Sequence, residues 1–253
     1  PSGWNGDVSS CSEGTISNDY RDAALRRINF FRAMCSLPAN INLDTNWNSA
    51  CQKAALMMSA NSALSHYPPT SWTCWSWDGS NAASHANIAL GTDGAESVDR
   101  FISDTGVNNY PVGHRRWLLC PREQTMGIGS LPDSPGYSGS CAIWVVGGFG
   151  STPPTPAYVP WPNEGYCPYN LAYERWSFSM SNADFSAATV SMTSNGSPVA
   201  VTKETVVDGY GDNTLVWKVT GFPLPGISTD ITFTVSVSNI VVGVKTTNFT
   251  YNV

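Results

Sequence analysis

Three histidines are the side chains of this sequence best suited to do chemistry. His66, His85 and His114 all fall in the first half of the chain, each within a short motif of small and polar residues. A neutral imidazole binds metal ions and transfers protons near neutral pH. If the fold brings these segments together, the histidines form a binding or catalytic site. Spacing along the chain does not show that they meet.

The cysteines indicate an oxidising compartment. The chain has seven, no two form a Cys-x-x-Cys pair, and their spacing does not match a zinc ribbon. This pattern predicts a secreted protein with up to three disulfides and one cysteine left over. A catalytic thiol is the alternative, but no local signature supports it. The cysteines are Cys11, Cys35, Cys51, Cys74, Cys120, Cys141 and Cys167.

The composition limits the class of partner. Charged residues make up 13% of the chain and the formal net charge is −6, whereas a nucleic-acid-binding surface needs a basic patch. No run of eighteen apolar residues predicts a membrane span. A start at Pro1, without a leader, is typical of a mature secreted protein. We therefore expect a secreted monomer that binds an extracellular ligand, with no nucleic-acid partner and no organic cofactor.

Three tryptophans between the first two histidines suggest a second chemistry. Trp72, Trp75 and Trp77 follow one another closely around Cys74. Aromatic rings offer flat apolar faces that stack on sugars, so these residues are candidate ligand-binding groups for a glycan. The structural alternative is that one or more of the rings packs beneath its own loop.

The apolar spacing predicts the elements that must position these residues. A first helix follows Asn18 and stops at Pro38, a second runs from Thr45 to near Ser62, and a third lies between Gly94 and Gly106. Residues 67–93 are interpreted as a long irregular loop. Two apolar runs, 125–129 and 141–147, are predicted strands joined by a hairpin loop at 132–139.

A change in composition divides the chain into two predicted domains. Residues 1–150 hold every histidine, and residues 151–168 form a proline-rich, semi-rigid linker. Residues 169–253 alternate polar and apolar side chains in short segments separated by turn residues. This pattern is typical of an all-β immunoglobulin-like sandwich. Six strands are predicted there: 176–180, 188–193, 199–202, 214–219, 229–237 and 245–251.

Residues 19–149 resemble the CAP superfamily, which includes cysteine-rich secretory proteins, antigen-five allergens and pathogenesis-related (SCP-like) proteins. The resemblance rests on several motifs that occur in the family's order. They are Leu43-Asp44, Ser65-His66, His85-Ala86-Asn87-Ile88-Ala89, Gly113-His114-Arg115-Arg116-Trp117, Met126-Gly127-Ile128-Gly129 and Ile143-Trp144-Val145-Val146. The fold class that follows is α+β, a CAP-type three-layer α/β/α sandwich with a second, all-β domain.

The resemblance also implies a site. In many members two histidines and two acidic residues line a cleft and hold a divalent metal. The matching positions here are His66, His114 and Asp104, whereas Ala86 stands where the first acidic residue belongs. With His85 as a replacement, the metal set is His66, His85, His114 and Asp104, which suits zinc. The structural alternative is that His85 lies at the surface or behind the ligands, and that His66 and His114 hydrogen-bond structural carbonyls.

Two functions remain open from the sequence. The first is a secreted CAP-domain protein whose histidine-lined cleft binds an extracellular ligand (glycan, lipid or peptide), with a divalent metal as candidate cofactor; Asn87 is a further candidate ligand-binding residue. The alternative is a hydrolase or binding protein that acts on cell-wall polysaccharide or peptide. In the catalytic version His66 and His114 are the acid–base and polarising groups and Asp104 orients one of them. No motif fixes an enzyme class.

Overall fold

A computed structural model describes residues 1–150, 156–222 and 229–253. The chain divides into two compact units. The first unit contains Pro1–Arg32, Pro38–Phe101 and Arg122–Pro153, and the second contains Ala33–Leu37, Ile102–Pro121 and Pro154–Val253. The segment around His114 therefore belongs to the same unit as the C-terminal strands.

Helices α1 (Asn18–Met34), α2 (Thr45–Asn61) and α4 (Gly94–Ser103) confirm the three helices predicted from apolar spacing. The ends of α2 show why its bounds were readable. The Asp44 carboxylate accepts hydrogen bonds from the backbone N–H groups of Asn46 and Trp47, and Ser62 ends the helix in a left-handed conformation. Asp44 is a standard N-terminal cap, and a left-handed residue such as Ser62 is a standard C-terminal one.

The interpretation of residues 67–93 as an irregular loop is wrong over much of its length. Helix α3 (Trp77–His85) and strand β2 (Ala86–Leu90) lie within it. The Ser76 hydroxyl caps α3 by accepting a hydrogen bond from Gly79 N–H. The buried face of α3 consists of small residues, Gly79, Ala82 and Ala83. Such a face gives no stripe of large apolar side chains for a periodicity test to detect.

The first unit contains a four-stranded sheet in the order β1-β3-β4-β2. Strand β1 is Asn42–Leu43, β3 is Thr125–Leu131 and β4 is Ser140–Trp144. β1 pairs with β3 in parallel, and the other pairs are antiparallel. Strands β3 and β4 confirm the two predicted apolar strands and the loop between them.

Two glycines of β3 allow α2 to approach the sheet closely. A Cβ atom at Gly127 would lie 2.4 Å from the Cβ of Trp47, and one at Gly129 would lie 2.1 Å from the backbone nitrogen of Gln52. Real Cβ atoms do not approach other atoms this closely. The Gly-Ile-Gly segment is therefore a packing requirement of this strand and helix.

Side chains bond the backbone of β3 on the side facing away from β4. Ile128 N–H donates to the Asn48 side-chain oxygen (2.7 Å), and Arg21 Nε donates to Ile128 O (3.4 Å). Ser130 N–H donates to Gln52 Oε1 (3.0 Å), and Gln52 Nε2 donates to Ser130 O (2.9 Å). Beyond the two residues that pair with β1, side chains from α1 and α2 thus take the place of a neighbouring strand.

The second unit contains the short helix α5 (Gly113–Leu118) and two antiparallel sheets. One has the order β10-β11-β6-β5, and the other has the order β13-β12-β8-β9 with β7 beside β12. Their shared core is built on large aromatic side chains, among them Trp176, Phe178, Trp217 and Phe233. The strands are β5 (Val159–Trp161), β6 (Arg175–Ser179), β7 (Ala183–Asp184), β8 (Thr189–Ser194), β9 (Ser197–Val199), β10 (Val201–Lys203), β11 (Thr214–Val219), β12 (Phe233–Val242) and β13 (Lys245–Asn252).

This architecture supports the α+β class and a β-rich C-terminal region, and the immunoglobulin-like assignment stays a prediction. Strand β5 lies inside the segment predicted as a linker. Residues 151–155 of that linker lie outside the described residues.

All seven cysteines lie in the described ranges, and one disulfide forms among them, Cys11–Cys74. In those same ranges no helix is long and apolar enough to cross a membrane.

Candidate functional site

Asp104 and His114 form a hydrogen-bonded pair in the second unit. Asp104 follows directly after α4, in a left-handed conformation (φ 49°), and its side chain is fully buried. His114 Nδ1 lies 2.7 Å from Asp104 Oδ1. The backbone N–H groups of His114 and Arg115 donate to Asp104 Oδ2 at 3.0 and 3.3 Å. The carboxylate therefore holds the start of α5 and the imidazole ring together.

The pair assigns the tautomer of His114. A carboxylate oxygen accepts hydrogen bonds, so Nδ1 carries the hydrogen and Nε2 carries the lone pair in the neutral ring. The His114 side chain is 25% exposed. An imidazole oriented in this way can take a proton from water or bind a metal ion through Nε2. Asp104 is placed as the orienting group; its assignment as a metal ligand stays a prediction.

The two arginines after His114 have structural roles in the second unit. The buried Arg115 guanidinium donates to Ile102 O (2.6 Å) and Arg175 O (2.9 Å), and burial lowers its pKa to about 10. Arg175 in turn donates to Asp104 O (3.0 Å), and Arg116 Nη1 donates to Val207 O (2.7 Å). These bonds fix the loop and short helix that carry the Asp104–His114 pair.

His66 and His85 lie in the first unit, at the end of α3. His66 Nδ1 is 2.8 Å from Ala83 O, and His85 Nδ1 is 2.8 Å from Asn81 O. Because a carbonyl oxygen only accepts, both rings have the same tautomer as His114, with the lone pair on Nε2. The His85 ring also stacks on Trp144 with centroids 4.8 Å apart.

The predicted metal set is thus divided between the units, with two residues in each, and the structure places Asp104 and His114 together. In the described part of the chain no group of three or more His, Cys, Asp or Glu side chains is placed to hold a metal ion. Ala86 and Asn87 are buried in β2. The zinc site and the role of Asn87 as a ligand-binding residue remain predictions.

The three candidate tryptophans differ in exposure. Trp77 is 69% exposed. Trp72 is half-buried and packs against the apolar cluster of α2, α3 and the sheet, and Trp75 is half-buried with its indole N–H donating to Pro68 O (3.2 Å). Tyr67, which the sequence analysis did not single out, is 81% exposed. Its position directly after His66 is the feature of the sequence that could have marked Tyr67 as a candidate ligand-binding residue.

Glu123 is a second residue that sequence reasoning missed. It is 1% exposed, and neither carboxylate oxygen has a hydrogen-bond partner among the described residues. Burial raises its pKa to about 8, against the opposing positive charges of Arg32 and Arg122. In the sequence, Arg122-Glu123 resembles an ordinary surface pair, so no local signal marks this carboxyl as buried.

Comparison with known families supports the resemblance inferred from the motifs. Residues 25–149, just under half of the chain, match the family described as CAP: Cysteine-rich secretory protein family. The match supports a CAP domain in this segment, which contains all three histidines and Asp104. No curated protein matches the chain.

Proposed function

We propose that this CAP-domain protein is secreted and binds an extracellular ligand through the Nε2 atoms of its histidines. One observation carries the proposal. In His66, His85 and His114 alike, Nδ1 lies 2.7–2.8 Å from an oxygen that accepts its hydrogen, so the neutral ring carries its lone pair on Nε2. Histidines that bind metals or act as bases are usually oriented in this way.

The donor chemistry fits a divalent metal such as zinc. Neutral imidazole nitrogens are standard zinc ligands. Asp104 fits the role of a carboxylate that does not bind the metal itself but holds the ligating ring by its other nitrogen. A bound zinc ion would supply a positive centre that attracts a carbonyl or phosphoryl oxygen of the ligand. The protein residues would orient the rings so that Nε2 carries the lone pair of the neutral imidazole.

Zinc titration of the full chain tests the metal part of this proposal. Calorimetry with zinc chloride on metal-free protein should show stoichiometric binding to the wild type and its loss in His114→Ala. Asp104→Asn keeps the shape of the orienting group but removes its charge, so we expect affinity to fall by about 10- to 100-fold. His66→Ala and His85→Ala report on the other two rings in the same assay.

The matched control is Asn108→Ala, an exposed position six residues before His114. Zinc that binds undiminished to the His114, His66 and His85 variants alike contradicts the histidine proposal. Wild-type protein that binds no zinc limits the proposal to a metal-free ligand.

A second candidate function is the binding of cell-wall or extracellular polysaccharide, which the exposed rings of Tyr67 and Trp77 favour. Their loop is held firmly: the Asn61 side chain both donates to and accepts from the backbone of Thr73 (2.9 and 3.0 Å), and Cys74 is tied to Cys11. Exposed aromatic rings on a fixed segment suit stacking on sugar rings, because little entropy is lost on binding.

Sedimentation with insoluble cellulose and chitin tests this candidate. Trp77→Ala should lose most of the bound fraction, whereas Tyr166→Ala, an exposed aromatic in the second unit, should keep it. Equal retention of both variants on the polymers contradicts stacking by Trp77.

Hydrolysis is the catalytic form of the second candidate, and the Asp104–His114 pair favours it, since this arrangement is what a general base on water requires. Turnover in a library of esters, peptides and glycans should then disappear in His114→Ala. Activity that persists unchanged in this variant would place the reaction elsewhere.

A further inference from the structure

A groove of about 630 Å³ lies in the first unit, lined by the N-terminal segment and the first turns of α1 and α2. Its volume lies in the range of small-ligand pockets. Of its described lining residues, none carries an apolar side chain. The residues that matter for recognition are Asn5, Glu13, Arg21, Asn48, Ser49 and Gln52.

The floor of the groove is rigid because its amide side chains are already bonded to β3. Asn48 and Gln52 are 9% and 3% exposed, and each accepts a hydrogen bond from a β3 backbone N–H. The Asn48 oxygen is thereby directed to the strand, and its NH₂ group is the remaining donor. Burial lowers the pKa of the nearby Arg21, whose guanidinium remains charged at neutral pH.

The wall of the groove is equally well held, although it is built from irregular N-terminal chain. Thr15 N–H donates to the Asn5 side chain (2.7 Å), and the Trp4 indole donates to Glu13 O (2.8 Å). Cys11, two residues before Glu13, is bonded to Cys74. The backbone of the wall and the Asn5 side chain are therefore held before a ligand arrives, which limits the entropy lost on binding.

We propose that this groove binds a neutral oligosaccharide. Sugar hydroxyls both donate and accept hydrogen bonds, and the lining hydroxyl and amide groups do the same. One positive and one negative lining side chain, Arg21 and Glu13, leave no net charge to select an ionic ligand. A peptide gains most of its affinity from large apolar and aromatic side chains that insert into apolar pockets. The lining residues of this groove include no large apolar side chain to form such a pocket.

This inference does not rest on the histidine proposal, and it concerns residues other than the exposed face of Tyr67 and Trp77. It adds a hydrogen-bonding site to the polysaccharide candidate, which so far has only a stacking surface. The two sites can therefore be tested separately in the same unit.

Calorimetry with soluble tetrasaccharides of cellulose, chitin and β-1,3-glucan tests the proposal on the full chain. Ser49 is exposed on α2 and lines the groove, so Ser49→Trp should block it and weaken binding by about tenfold or more. Asn46→Trp introduces the same ring at an exposed position of α2 that does not line the groove. This control should bind within about twofold of the wild type, and circular dichroism should show that both variants are folded.

Each outcome decides between the sites. If none of the tetrasaccharides binds the wild type, the groove proposal is wrong. Binding that survives Ser49→Trp but is lost in Trp77→Ala overturns the groove and leaves the polysaccharide candidate standing. Loss in Ser49→Trp together with retention in Trp77→Ala supports the groove, whatever the histidine variants do to zinc binding.

Discussion

Glu123→Gln should remove the dependence of stability on pH that this carboxyl imposes on the first unit. The Glu123 side chain is buried without a hydrogen-bond partner among the described residues. The buried Arg32 uses its guanidinium for Pro38 O (2.9 Å) and for the backbone oxygen of Glu123 (3.0 Å). Glutamine has almost the same volume and never ionises.

The magnitude follows from the difference in pKa between the folded and unfolded protein. Burial raises the pKa of Glu123 to about 8 from an ordinary 4.5. This difference of about 3.5 pH units, at about 1.4 kcal/mol per unit, amounts to about 5 kcal/mol. Between these two pKa values the unfolded chain has lost the proton and the folded chain has kept it. The contribution is fully present below pH 4.5 and is lost as the pH rises through 8.

The assay is urea unfolding of wild type and variant at unit steps from pH 5 to pH 9. The free energy of unfolding of the wild type should fall relative to that of Glu123→Gln by about 4–5 kcal/mol across this range. All other titrating groups are shared and cancel in the difference. Two curves that stay parallel within about 1 kcal/mol would refute the reasoning, because the carboxyl would then titrate as it does in water.

Three further predictions concern the framework of the first unit, and each is measured as a change in the free energy of unfolding. Gly129→Ala should cost about 3 kcal/mol, since the added Cβ would meet the backbone of Gln52, whereas a tolerated alanine would mean that α2 can move away from β3. Asp44→Ala should cost about 1 kcal/mol by removing the cap of α2, and Asp44→Asn should recover most of it. Cys74→Ser should cost about 4 kcal/mol, because the Cys11–Cys74 disulfide spans 63 residues; an unchanged value on reduction of the wild type would contradict this.

Elements with large apolar side chains at regular spacing were predictable, and elements built from small residues were not. Helix α2 could be bounded to within a residue because Asp44 and Ser62 sit at its ends. Helix α3 was missed because its buried face is Gly79, Ala82 and Ala83. Strand β5 was missed because Pro160 occupies its centre, and proline argues against a strand in any pattern-based assignment.

The candidate site was likewise only partly predictable from the sequence. The resemblance to the CAP family pointed to Asp104 and His114, and these two residues are paired in the structure. The grouping of residues 102–121 with the C-terminal strands depends on bonds such as Arg115 to Arg175 O, which join residues 60 apart. Contacts of this kind leave no periodic trace in a sequence. Nor does the burial of Glu123, which depends on what folds around it.

The side-chain bonds along β3 affect how readily this protein can aggregate. Strand β1 pairs only with Thr125 and Met126, so the remaining length of β3 has no strand on that side. Unpaired strand backbone can pair with another extended chain, and aggregation often begins in this way. At Ile128 and Ser130 the main-chain donors and acceptors are already occupied by Asn48, Gln52 and Arg21. Another chain would have to displace these three side chains before it could pair with this side of β3. Two of them, Asn48 and Gln52, belong to α2. The amides that shape the groove thereby also protect this side of β3 from pairing with another chain.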